Sequence, residues 1–222
     1  MAAGALSSMA QSNVYSLNVV GYINTTLTGT GKYTLIANQL DSGNNVFSNF
    51  FQSLPTGTQI LKWNNGTASF VPASRIAFGN GWSPAGAATS TLNPGEACFV
   101  KTVASSPGAT NTFVGNVKGL ASTGGTNPVY SGSYTNSLPT GYTLIGATPP
   151  VSGAVTTALG LTNVPTGSQI LKWDPVAQSY VPFSKIAFGS GWSPSVPTVN
   201  VGDGFFIKPS SAFVWTQTFN VN

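Results

Sequence analysis

The sequence predicts an all-β protein with one short helix per unit, arranged as two tandem, internally duplicated antiparallel β-sandwich or small β-barrel domains. Repetition is the first sign: Gln59-Ile60-Leu61-Lys62-Trp63 and Ala77-Phe78-Gly79-Asn80-Gly81-Trp82-Ser83-Pro84 return as Gln169-Ile170-Leu171-Lys172-Trp173 and Ala187-Phe188-Gly189-Ser190-Gly191-Trp192-Ser193-Pro194. So long a period points to duplication of a whole small domain rather than a solenoid. The second sign is a series of short β-branched and aromatic runs punctuated by Gly, Pro and Asn, the composition of strands joined by turns. The third is charge: 5% of the 222 residues are charged, where about 25% is usual. A surface of Ser, Thr, Asn and Gly resists self-association poorly and suits a subunit that packs against neighbours.

Residues 1–10 end in Ser8-Met9-Ala10, a small-x-small pattern before Gln11, and read as the remnant of a secretory signal. The first unit then spans 11–119. Its opening run, Val14-Tyr15-Ser16-Leu17-Asn18-Val19-Val20-Gly21-Tyr22-Ile23, reads as a strand. Residues 32–40 give a second strand. Over 43–54 the period changes, and Val46, Phe47, Phe50, Phe51 and Leu54 share one helical face behind Ser42 or Asn44 as a cap. Residues 58–63 and 68–72 flank Asn64-Asn65-Gly66-Thr67, a strong hairpin signal. Strands over 75–78, 97–102 and 111–117 complete the unit, and 120–128 has linker composition. The second unit, 129–222, repeats this order with a weaker helix candidate at 152–161.

Within this frame Val14, Tyr15, Leu17, Val19, Val20 and Tyr22 are candidate subunit contacts, because the first strand is longer and more apolar than its counterpart at 129–135. Such a strand can add to an exposed sheet edge of a neighbour, or pair inside its own unit. Trp82 and Trp192, in Gly-Trp-Ser-Pro turns, are the candidate ligand or packing surface. Trp63 and Trp173 end strands that also carry Ile and Leu, as core residues do.

Chemistry is bounded mainly by what is missing. There is no histidine, which removes the commonest general base, the usual Ser or Cys triads and most zinc sites. Cys98 follows Ala97 in a strand and matches Phe205, so it reads as a buried apolar thiol. Of the acids Asp41, Glu96, Asp174 and Asp203, the pair Glu96 and Asp203 occupies equivalent positions and would share a cleft only if symmetry brought them together. Lys62 with Lys172, Arg75 with Lys185, and Lys101 with Lys208 recur likewise; an ion pair to the recurring acid is expected, with a twin anion site as the alternative. Asp41-Ser42-Gly43-Asn44-Asn45 carries too little charge for calcium. The net charge of +4 comes from singly spread residues, so no nucleic-acid partner is expected. No cofactor is expected either, and no run of 18 apolar residues exists to span a membrane as a helix.

The words Val14-Tyr15-Ser16-Leu17-Asn18-Val19-Val20-Gly21-Tyr22, Tyr33-Thr34-Leu35-Ile36-Ala37-Asn38 and Leu92-Asn93-Pro94-Gly95-Glu96-Ala97 resemble secreted β-rich proteins of Verrucomicrobia-like bacteria. The resemblance implies export and a β-rich fold, and carries no catalytic residues. The functional expectation is a non-enzymatic protein, extracellular or at the cell surface, that associates with itself into a filament, sheath or surface layer. The alternative is a carbohydrate-binding or adhesin module with extracellular glycans as partners.

Overall fold

The computed structural model describes residues 20–29, 31–103, 108–122 and 130–221. Strands β1 (Val20–Thr26), β2 (Tyr33–Ala37), β3 (Gln59–Asn64), β4 (Ser69–Arg75), β5 (Trp82–Ser83), β6 (Ala97–Lys101) and β7 (Thr110–Asn116), with helix α1 (Phe47–Phe50), make the first unit. After β8 (Ala121–Ser122) the second unit contains β9 (Tyr130–Leu138), β10 (Thr143–Gly146), β11 (Gly153–Ala154), β12 (Gln169–Asp174), β13 (Ser179–Lys185), β14 (Trp192–Ser193), β15 (Thr198–Val199), β16 (Gly204–Lys208) and β17 (Phe213–Val221). Two five-stranded antiparallel sheets, β2-β6-β3-β4-β5 and β10-β16-β12-β13-β14, follow the same plan. Each is faced by a ribbon, β1-β7 in the first unit and β17-β9-β8 in the second. The units are therefore sandwich-like, and neither sheet closes into a barrel.

Period-two geometry explains the layers. Ile36, Ile60, Cys98 and Val100 point from the first sheet towards Ile23 and Phe113 of its ribbon, and α1 adds Phe47 and Phe50 to that core. Ile145, Ile170, Phe205 and Ile207 meet Leu138 and Trp215 in the second. Leu35, Ala37, Ala97 and Phe99 leave by the opposite face and meet Leu144 and Phe206 of the other unit. Strands such as β2 and β6 are consequently buried on both faces, which is why they read as nearly continuous apolar runs.

The hairpin β3–β4 forms where Asn-Gly announces it. Its turn differs from the expected one: Asn64 Oδ1 accepts from Gly66 N and Thr67 N, and the positive φ falls on Ala68. The helix over 43–54 shortens to one turn. Val46 is its N-cap, without a side-chain cap, because Ser42 and Asn45 bond each other instead. Residues 152–161 form β11, turns and a 3-10 helix at Leu161–Asn163 rather than an α-helix; Gly153 and Gly160 take positive φ there, and no aromatic pair holds a helical face. The expected linker contributes β8, which pairs with β9.

β1 pairs with β7 of its own unit, Tyr22 opposite Val114 and Val20 opposite Asn116. The second unit has a full counterpart: β9 pairs with β17 from Tyr130 to Leu138, so the opening strand is not an addition unique to the first unit. Val14, Tyr15, Leu17 and Val19 lie outside the described residues.

Candidate functional site

Trp82 and Trp192 do not form a surface. They are 1% and 2% exposed, because strand alternation turns the Trp of each Trp-Ser pair inward and the Ser outward. Trp82 packs 6.0 Å from the Phe47 ring with the Arg75 guanidinium 5.3 Å above it; Lys185 sits likewise over Trp192, at 5.6 Å. The exposed aromatic of the repeated motif is its Phe: Phe78 and Phe188 are 75% and 76% exposed. The loop beneath Phe78 is fixed by Ile76 N to Gly81 O at 3.0 Å, Gly81 N to Phe78 O at 3.1 Å and Arg75 Nη1 to Gly81 O at 3.0 Å. Its copy repeats the two backbone bonds at Ile186 and Gly191. A Phe between small residues at a turn, present in both copies, was the available signal.

Trp63 and Trp173, expected as core residues, are half-buried against the apolar cluster between the two units and clamp the units together. Trp63 Nε1 donates to Tyr142 O and Trp173 Nε1 to Tyr33 O, both at 2.9 Å. Ala37 N bonds Gly202 O at 2.8 Å, and Gly146 N bonds Gly95 O at 2.9 Å. Lys101 lies 5.3 Å over Tyr33 and Lys208 5.2 Å over Tyr142. Each of these contacts has its twin, so the units are related by an approximate two-fold axis. Edge-to-face aromatic pairs line the seam, among them Trp63–Phe206 at 5.1 Å and Phe99–Trp173 at 5.0 Å, the arrangement ring quadrupoles favour.

The same symmetry builds two polar clefts at the seam. One, of about 390 Å³, lies between Asn24, Thr25 and Thr34 of the first unit and Lys172, Trp173 and Asp203 of the second. Its twin, about 210 Å³, lies between Asn136, Ser137 and Thr143 and Lys62, Trp63 and Glu96. Glu96 and Asp203 thus face separate clefts. The expected ion pair exists at Lys62–Glu96, 2.9 Å. It is not repeated in the second copy, where Lys172 Nζ donates to Thr198 O and Asp203 Oδ2 accepts from Asn200 N at 2.8 Å. A further hollow, about 470 Å³ beside Phe47, Val71 and Pro84, is mainly apolar, and its Lys62 belongs to that ion pair.

Cys98 is fully buried, and burial pushes its thiol well above the usual range. It cannot supply a thiolate at neutral pH. Among the described residues no group of three or more Cys, Asp or Glu gathers to hold a metal ion. Asp41 accepts from Gly43 N and Asn45 Nδ2, both at 2.9 Å. The Gly43 amide, then Asn45, then the charge of Lys118 hold its carboxyl below the ordinary value. The folded state therefore binds this proton more weakly than the unfolded chain. Its stabilisation is complete above the unfolded carboxylate pKa of about 4 and is lost as pH falls through the lower folded value. Urea midpoints measured against pH should show Asp41→Asn less stable than wild type at neutral pH, with the gap closing in acid; solvent screening keeps it under about 1 kcal/mol.

Comparison of the chain with protein-family models, with curated proteins and with solved structures finds no match.

Proposed function

We propose that this protein is a non-enzymatic, secreted building block that associates with copies of itself into an extracellular filament, sheath or surface layer. The observation that carries the reading is the pair Phe78 and Phe188: two large apolar side chains, each three-quarters exposed, on loops fixed by backbone hydrogen bonds. Holding such a group out in water loses the benefit of burial, and a stiff loop minimises the ordering cost when a neighbour covers it. The first ribbon adds Val20, Tyr22 and Val114, all exposed on its outer face. Among the described residues no strand occupies the edge of β1 away from β7, whereas β8 occupies the matching edge of β9. Strand addition at that edge is the second contact in this reading, and the low charge leaves little repulsion between copies.

Sedimentation velocity and negative-stain microscopy of the purified protein test it. Wild type should form ordered assemblies, and the Phe78→Ser/Phe188→Ser double variant should be monomeric while its melting temperature stays close to wild type, since surface changes are usually within about 0.5 kcal/mol. Monodisperse wild-type monomers across the accessible concentration range would refute the proposal.

A further inference from the structure

The two seam clefts are built from equivalent positions of the repeat and differ decisively at their acid. In the smaller cleft, Glu96 reaches Lys62 with Oε1 at 2.9 Å while Oε2 accepts from Asn93 N at 2.6 Å, so carboxylate and ammonium satisfy each other. In the larger cleft the acid is Asp203, one methylene shorter. It stays on its own turn, bonded through Oδ2 to Asn200, and forms no ion pair with Lys172 among the described residues. A charged donor and a charged acceptor thus share a cleft without neutralising each other. We propose that this cleft, about 390 Å³, is a carbohydrate-binding site for one or two sugar residues, and that the 210 Å³ cleft is its structurally closed twin.

The chemistry selects the ligand class. A sugar hydroxyl both donates and accepts. The cleft offers donors in Lys172, which spends one N–H on Thr198 O, and in Asn24 Nδ2, because Asn24 Oδ1 is taken by Thr112 Oγ1 at 2.7 Å. It offers acceptors in Asp203 Oδ1 and in Thr25 Oγ1, whose proton goes to Asn111 O at 3.1 Å. Trp173, Leu35 and Pro175 supply apolar wall for the C–H faces of a pyranose. A phosphate or sulfate would meet the carboxylate of Asp203, and a simple cation the ammonium of Lys172. The volume falls within the roughly 300–1,000 Å³ typical of ligand pockets, and the twin falls below it. The Gly202 amide that shapes the rim is anchored across the seam on Gln39 Oε1 at 2.8 Å, so the site is preformed only while the two units are docked.

Saturation-transfer NMR with D-glucose, D-galactose, N-acetylglucosamine and their β1–4-linked disaccharides tests the site, using glycine as a zwitterionic control. At least one sugar should receive saturation and glycine none. Asp203→Asn, which keeps an acceptor for Asn200 N, and Lys172→Met should each weaken binding about tenfold or more, as loss of a charge-assisted hydrogen bond does. Glu96→Gln, in the closed twin, should leave affinity unchanged. The site does not rest on self-association: the Phe78→Ser/Phe188→Ser double variant should bind the same sugars equally well. No transfer to any sugar, binding of glycine alone, or sugar binding indifferent to both Asp203→Asn and Lys172→Met would overturn the proposal.

Discussion

Replacing Trp82 by alanine is expected to cost about 3–5 kcal/mol, the range for removing a large buried aromatic. Trp82 is among the largest fully buried side chains and joins β5 to α1 through Phe47. α1 is a single four-residue turn without a side-chain cap, and so short a helix is held by tertiary packing rather than by its own propensity. Losing the indole removes both a core wall and the support of that turn. At roughly 2–4 °C per kcal/mol for a chain of this size, the melting temperature should fall by more than 6 °C. Trp82→Phe should be much milder, because the buried Nε1 finds no partner among the described residues, and removing an unpaired donor recovers part of the lost packing. Guanidinium denaturation of both variants gives the comparison; a loss under about 1 kcal/mol for Trp82→Ala would contradict a core position. Trp192→Ala should behave alike in the second unit.

The duplication was legible because identical words recur at matching distances, and the sheets followed from alternation and turn residues. Their relation to one another was not. Leu35, Ala37, Phe99 and Phe206 carry the same apolar character as Ile36, Val100 and Ile207, so the sequence marks them as buried without saying which face meets the other unit. Trp63 and Trp173 carry the same ambiguity: an indole at a strand end looks alike whether it closes its own core or donates across a seam. The Gly-Trp-Ser-Pro turns misled in the other direction, since flanking Gly and Pro signal a loop while pairing with β4 and β13 turns the Trp inward. The clefts were invisible until the approximate two-fold axis placed Asp203 opposite Thr25. The recurrence of Glu96 and Asp203 beside recurring lysines announced the ion pair that forms at Lys62–Glu96, but not that the shorter Asp203 would stay on its own turn with Asn200.

Docking of the units rests on small residues at that axis, and a single methyl-bearing substitution there should undo it. A Cβ placed on Gly146 would collide with Ala37 Cβ, and one on Gly204 would lie 2.8 Å from Ala97 Cβ; Gly146 and Gly204 pair with each other in the second sheet, and Ala37 and Ala97, paired in the first, are their counterparts across the approximate axis. Neither obstacle is the end of a flexible side chain, so the sheets themselves must separate. Gly146→Val therefore has to lengthen the bonds from Gly146 N to Gly95 O and from Ala37 N to Gly202 O, beyond the 1–3 kcal/mol typical of overpacking. The readout follows from where the indoles sit. Trp63 and Trp173 line the seam, whereas Trp82, Trp192 and Trp215 lie in the unit cores. Gly146→Val should red-shift the tryptophan emission and increase acrylamide quenching while far-UV circular dichroism keeps its β signature. Gly86→Ala, where an added Cβ meets nothing within 4 Å, is the control and should leave both signals unchanged. A Gly146→Val protein with native emission and native stability would show that the seam can absorb the added bulk, and would remove the close approach of the sheets as the reason for glycine at this position.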